Sequence, residues 1–165
     1  MNEINVIAID GPSGSGKSTI AKLVAEKLNL TYLDTGAMFR AIAWSLQGLG
    51  INFKKPDLTG NEITLLNEKL NNINFEYAPQ KDILVRVDEV DLTQKIRENE
   101  VSLLTSHTSK FPQVREFLKS FQQEVGRQRP SILEGRDIGT VIFPNAKLTI
   151  FLTANNDVRA QRRFA

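Results

Sequence analysis

The sequence predicts an α/β protein, doubly wound around a central parallel sheet, and three observations predict it. Residues 5–10 (NVIAID) form a short, β-branched run that is apolar on both faces, as in strands buried in parallel sheets. Residues 11–16 break that run with glycine and serine, and KSTIAKLVAEKLNL then carries Ile20, Leu23, Val24 and Leu28 at helical spacing. The alternation repeats at once. TYL at 31–33 reads as a second strand stopped by Asp34-Thr35-Gly36, and a second helix is expected over 37–49.

The middle of the chain changes character. Residues 57–72 are expected to be helical, with Ile63, Leu66 and Leu70 on one face. Two β-like runs, NFEY at 74–77 and ILVRV at 83–87, flank the turn-like APQKD at 78–82, a hairpin signal, and VDL at 90–92 adds a third short strand. A small antiparallel sheet within a parallel α/β chain points to an inserted subdomain at roughly 55–100. Residues 112–126 (PQVREFLKSFQQEVG) read as an amphipathic helix opened by Pro and closed by Gly. SIL at 131–133 and LTIFL at 148–152 read as two more buried strands. Asn155 or Asn156 then caps a last helix, NNDVRAQRRFA.

Composition narrows the function classes. A chain of 165 residues buries about two-thirds of its unfolded surface, so it needs no disulfide or metal staple. With 41% hydrophobic and 24% charged residues it reads as one ordinary globular domain. The 21 basic and 19 acidic side chains leave a formal charge of +2, too balanced to argue for a nucleic-acid or anionic-membrane partner. The lack of Cys excludes thiol nucleophiles and Cys-ligated zinc, and one His, His107, makes no metal site. No apolar run is long enough for a signal peptide or a membrane span. A soluble, cytoplasmic monomer is expected.

The strongest chemical signal is GPSGSGKS from Gly11 to Ser18, which matches G-x-x-x-x-G-K-[ST]. Its glycines allow successive backbone N–H groups of the loop from Gly11 to Gly16, in which Pro12 alone has none, and of the helix start to curl around phosphate oxygens, with the helix dipole adding attraction. That set takes in Ser13, Gly14, Ser15 and Thr19. Lys17 would reach the outer phosphates and Ser18 would place a hydroxyl on Mg²⁺, so MgATP is the expected cofactor. A buried strand before and an amphipathic helix after supply the context the motif needs.

Two further segments choose among nucleotide-dependent classes. In DTGAMFR, Thr35 and Arg40 bracket a helix N-terminus, a second anion site to which Arg40 adds a planar fork. EGRDIGT follows the third strand, and loops at strand carboxyl ends gather ligands in open α/β sheets, which places Arg136 and Asp137 to read one. A guanine-reading N-K-x-D segment is missing, which argues against a regulatory GTPase.

GPSGSGKST, LDTGAMFR, FPQVR and EGRDIGTVIFPNA, in that order, resemble the bacterial-type cytidylate kinases among the P-loop nucleoside monophosphate kinases. The resemblance implies a P-loop NTPase three-layer fold, with the small three-stranded subdomain inserted in the monophosphate-binding region. It implies transfer of a phosphoryl group from MgATP to CMP or dCMP. Thr35 matches a hydroxyl that contacts the acceptor phosphate, while Arg40 and Arg136 match arginines that clamp it; with Lys17 they form the implied catalytic set. Asp137 matches the carboxylate that accepts from the cytosine amine, and Ser106 and Arg115 match the other base-reading positions. Arg162, beside Arg159 and Arg163 on the last helix, matches an arginine that faces the donor nucleotide, where a lid region begins over 155–165. The family commonly has Tyr where this chain has Phe39. The family pattern also continues past the position of Ala165, through the lid, further arginines, a ribose-binding Asp and a final strand and helix. Either a fragment or a chain without that apparatus is therefore expected, the second being a nucleotide-binding module. A kinase for another small acceptor, such as shikimate or a sugar acid, is the alternative enzyme.

Overall fold

The structure is a computed structural model that describes residues 5–77 and 85–164, without the side chains of 163 and 164. In chain order the elements are β1 (Val6–Asp10), α1 (Lys17–Leu28), β2 (Thr31–Asp34), α2 (Thr35–Ser45), α3 (Gly60–Asn72), β3 (Phe75–Tyr77), β4 (Val85–Val87), β5 (Val90–Asp91), α4 (Asn99–Thr108), α5 (Pro112–Gln128), β6 (Ser131–Gly135), β7 (Leu148–Phe151) and α6 (Asn156–Phe164). The chain divides into two compact units, one up to Gly36 and again from Phe121, the other Ala37–Ser120.

The first unit carries the parallel sheet, ordered β2-β6-β1-β7. Val6 is registered with Ser131, Ile7 with Leu148 and Thr31 with Ser131, so β1 and β6 each have a neighbour on both sides. Their β-branched runs are buried accordingly. Ile9 and Ile132 form a core with Ala21 and Ala25 of α1, against which Ile7, Val24, Leu30, Tyr32 and Leu152 pack. The helix is where the spacing predicts it, but its inward face is not the large one. Ala21 and Ala25 are buried, whereas Ile20, Leu23 and Leu28 are 43%, 50% and 58% exposed. Small side chains let α1 lie close to the sheet, directly off the glycine loop that leaves β1.

Three other expectations change. LTIFL is a strand but not a buried one: Leu148, Ile150 and Phe151 are exposed on β7, an edge strand bonded to β1. The second helix starts at Thr35 with no intervening loop and ends at Ser45, whose hydroxyl donates to the Ile42 carbonyl at 2.7 Å. A short 3₁₀ turn, Gln47–Leu49, follows. Gly126 does not end α5, which runs on to Gln128. The glycine is there for packing: a Cβ would lie 2.5 Å from Cζ of Phe143 and 3.2 Å from Cγ2 of Val6.

In the second unit, β3-β4-β5 form an antiparallel sheet, with Phe75 registered to Val87 and Arg86 to Asp91. Val85, Val87, Leu92 and Ile96 make its core with Ala37 and Ala41. The expected hairpin turn at 78–82, and the first two residues of ILVRV, lie outside the described residues. The helix expected over 57–72 begins at Gly60 because Thr59 caps it. The Thr59 hydroxyl accepts from the Glu62 N–H while the Glu62 carboxylate accepts from the Thr59 N–H at 2.8 Å, a capping box. Lys55 adds its ammonium to both Glu62 oxygens at 2.7 and 2.6 Å. α4 has no counterpart in the pattern read from the sequence. It opens on Glu98 without a side-chain cap bond, directly after a 3₁₀ turn.

Two outcomes follow from these contacts. Gly126→Ala would stabilise an unpacked helix by about 0.8–1 kcal/mol, but here should destabilise by about 1–3 kcal/mol through overpacking on Phe143, measured by chemical denaturation. The Lys55 ammonium, then the Thr59 N–H and hydroxyl, lower the Glu62 carboxyl from 4.5 to about 2. Its contribution to stability is therefore complete above the unfolded value and is lost as pH falls from 4.5 through about 2. The denaturation midpoints of wild type and Glu62→Gln should differ at pH 6 and draw together as the pH falls to about 2.

Candidate nucleotide site

The carboxyl ends of β1, β6 and β2 are neighbours, and the first unit gathers its charged and hydroxyl groups there. From β1 the chain enters the glycine loop. Gly14 at φ 76° and Gly16 at φ 97° hold left-handed conformations that residues with side chains rarely adopt, and Gly16 thereby delivers the chain into α1. Space is restricted as well. A Cβ on Gly11 would strike the carbonyl of Leu152, and one on Gly14 would lie 2.9 Å from that of Arg159. Ser15 is buried, and its hydroxyl oxygen has no hydrogen-bond partner among the described residues.

Lys17 opens α1, and its ammonium donates to the Pro12 carbonyl across the loop at 2.9 Å. Burial lowers its pKa, with the charge of Arg136 acting the same way, while Glu134, Asp34 and Asp10 oppose the shift. Ser18 and Thr19 are exposed in the first turn of α1. Glu134, next to last in β6, is buried and its carboxyl is pushed up, first by burial and then by Asp34. Hydrogen bonds from Ser18 and from Tyr32, whose hydroxyl is 2.6 Å from Oε1, pull the other way. Thr35 follows β2 directly and is also buried; its hydroxyl donates to the Glu134 carbonyl at 2.7 Å.

Beyond β6, Arg136 is exposed and Asp137 half-buried. A single π turn, Ile138–Ile142, follows, and the Asp137 carbonyl accepts from the N–H groups of Val141 at 2.8 Å and Ile142 at 3.3 Å. On α6, Arg162 donates to the Gly14 carbonyl at 3.1 Å and Arg159 to that of Ser13 at 3.5 Å. The arginine side of the last helix is thus in contact with the glycine loop, while the Arg163 side chain lies outside the described residues.

Arg40, Ser106 and Arg115 belong to the second unit. Arg115 lies in the first turn of α5, with its guanidinium carbon 5.9 Å from the centroid of the Phe39 ring and Nη1 donating to the Ser109 carbonyl at 3.3 Å. The phenyl ring at 39 therefore supplies a cation–π surface without a hydroxyl. Arg40 is half-buried on α2. Ser106 is exposed on α4 and turns its hydroxyl back to the Leu103 carbonyl at 2.6 Å.

Sequence reasoning passed over Glu134, Tyr32, Asp34 and Asp10. The signal was available: each carboxylate stands at or next to the last residue of a strand in one parallel sheet. Among the described residues no group of three His, Cys, Asp or Glu side chains could hold a metal ion unaided. No helix among them is long and apolar enough to cross a membrane.

Similarity to known proteins fits this arrangement. The family described as Cytidylate kinase matches residues 7–165. The cytidylate kinase of Caldicellulosiruptor saccharolyticus is 45% identical over 165 residues, covering 99% of this chain and 70% of that protein. That of Streptococcus pneumoniae (strain 70585) is 47% identical over 160 residues, covering 96% and 69%. The bifunctional pantoate ligase/cytidylate kinase of Prochlorococcus marinus subsp. pastoris is 47% identical over 162 residues, but the chain spans only 30% of its length. A glycine loop between β1 and α1, a parallel sheet ordered β2-β6-β1-β7, a separate three-stranded antiparallel sheet and a match from residue 7 to the last residue lead to one assignment: the chain belongs to the cytidylate kinase family.

Proposed function

We propose that the chain carries the nucleotide-binding part of an ATP:CMP/dCMP phosphotransferase, with MgATP on the loop from Gly11 to Thr19 and the acceptor held by Thr35, Arg40 and Arg136. The observation that carries this reading is the convergence of Lys17, Thr35, Arg136 and Asp137 on the adjoining carboxyl ends of β1, β2 and β6. A donor loop after β1 and a second anion-holding helix start after β2, the two strands that flank β6, suit a transfer between two phosphates.

In the reaction, a phosphate oxygen of CMP attacks the γ-phosphorus, the bond from that phosphorus to the β–γ bridging oxygen breaks, and ADP leaves as CDP forms. No covalent enzyme intermediate is needed. Lys17 exchanges the Pro12 carbonyl for the β and γ oxygens, a step helped by the weak competition of one neutral acceptor against a polyanion. Arg40 and Arg136 align the acceptor in line, and Arg162 leaves the Gly14 carbonyl for the donor phosphates. Asp137 accepts from the cytosine amine, Arg115 donates to the base carbonyl, and Ser106 completes the reading of the base. Uracil presents an acceptor where cytosine presents a donor, so a carboxylate there repels it.

Mg²⁺ fits the donor set. Ser18 and the Glu134 carboxylate it hydrogen-bonds are hard oxygens suited to that ion, which takes its other ligands from phosphates and water. Bound with ATP, it would neutralise charge on the phosphates.

The reading is tested by ADP production from MgATP with CMP, dCMP, UMP, AMP and shikimate as separate acceptors. Stimulation by CMP and dCMP is expected. ATP binding without acceptor-dependent turnover would favour a binding module, and stimulation by shikimate a different kinase. Lys17→Ala should lower turnover by about 10²–10³-fold with an unchanged melting temperature; wild-type turnover would remove the loop from the mechanism. Asp137→Asn should cut the preference for CMP over UMP by about tenfold or more, read from the ratio of the two dissociation constants.

A further inference from the structure

Asp10, the last residue of β1, is 4% exposed, and the chemistry above makes no use of it. Both of its carboxylate oxygens are occupied by backbone. The Ile138 N–H donates to Oδ1 and the Gly139 N–H to Oδ2, each at 2.8 Å. Those two amides open the π turn that follows Asp137. The carbonyl of Asp137 is held from the other side by the N–H groups of Val141 and Ile142. Beneath the turn, Gly139 lies against β7 so closely that a Cβ would overlap Cγ2 of Thr149. The backbone on the carboxyl side of Asp137 therefore has one anchor in Asp10 and one seat on Thr149, and little room to shift.

We infer that Asp10 is a positioning residue for acceptor-base selection, fixing through Ile138 and Gly139 the place from which Asp137 presents its carboxylate. This rests on the proposed reading of Asp137 as the base-contacting residue. Because Gly11 comes next in the chain, a single carboxylate anchors the base-reading turn at the residue where the donor loop begins. Only a carboxylate suits the position. An Asn can accept one of the two N–H groups on its oxygen, but its own NH₂ faces the other, which leaves a buried donor unpaired.

The two nucleotides should respond in different directions. Asp10 lies close enough to Lys17 for their charges to interact, and a carboxylate there repels an incoming anion, so removing the negative charge does not weaken anion binding at the donor loop. For Asp10→Asn in the full chain, calorimetric titration should give a CMP dissociation constant raised about tenfold or more and a reduced preference for CMP over UMP. The MgATP constant should be unchanged or lower. Asp137→Asn is titrated in parallel. If Asp137→Asn alters the CMP-to-UMP ratio and Asp10→Asn does not, the positioning role is wrong and the base-reading role stands. If neither alters it, the base-reading role has failed and the inference with it. Equal losses of CMP and MgATP in Asp10→Asn would reduce Asp10 to a structural residue. Should that variant not fold, amide exchange in the wild type decides: the Ile138 and Gly139 amides should be strongly protected with and without CMP, and rapid exchange at either would overturn the inference.

Discussion

A carboxylate buried beside an ammonium is tolerable only when both are hydrogen-bonded, and that constraint organises the edge of the parallel sheet. Glu134 meets it with the Tyr32 hydroxyl from β2 and the Ser18 hydroxyl from α1, while its carbonyl takes the Thr35 hydroxyl. Residues of α1, β2 and the start of α2, all far from it in sequence, are thereby tied to one residue of β6. Lys17 completes the balance, desolvated yet surrounded by Glu134, Asp34 and Asp10, and opposed by Arg136. An additional anion placed near Lys17 enters a field already divided between signs. Arg136 is exposed, the Lys17 ammonium is bonded to the Pro12 carbonyl, and the carboxylates of Glu134 and Asp10 are committed to hydroxyls and to backbone amides respectively.

The alternation of elements was legible in the sequence because it is written in short-range periodicity. The two-sided run NVIAID, the glycine break and the helical repeat after Lys17 need no knowledge of distant residues. The conserved logic of strand carboxyl ends then directs attention to Thr35, Arg136 and Asp137 without any coordinates. Burial was less legible, because it depends on partners. Ile20, Leu23 and Leu28 satisfy a helical pattern, yet the residues of that helix buried against the sheet are Ala21 and Ala25, with Val24 partly buried beside them. LTIFL has the composition of an interior strand and occupies an edge.

One glycine was misread for the same reason. Gly126 looks like a helix end because glycine is a poor helix former, but the propensity loss is outweighed by the ring of Phe143 lying across it. The carboxylates were missed for a different reason. Asp10, Asp34 and Glu134 each look like an ordinary polar residue ending a strand. Their meaning arises from the register that sets Asp10 beside Gly135 and Asp34 beside Glu134. Register is a property of the assembled sheet, not of any one segment.

The order of strands has a kinetic side. β1 is made long before both its neighbours, β6 and β7, and Val6 meets Ser131. Everything from Ala37 to Ser120 is synthesised in between, and it contains an antiparallel sheet whose pairings are all local. On a ribosome the second unit can therefore condense while NVIAID still waits, apolar and unpaired, for β6 and β7 to emerge. Long-range parallel pairing of this kind is slow and leaves the waiting strand open to association with other chains. The interval between synthesis of β1 and arrival of β6 is the stage at which a chaperone would have most to protect.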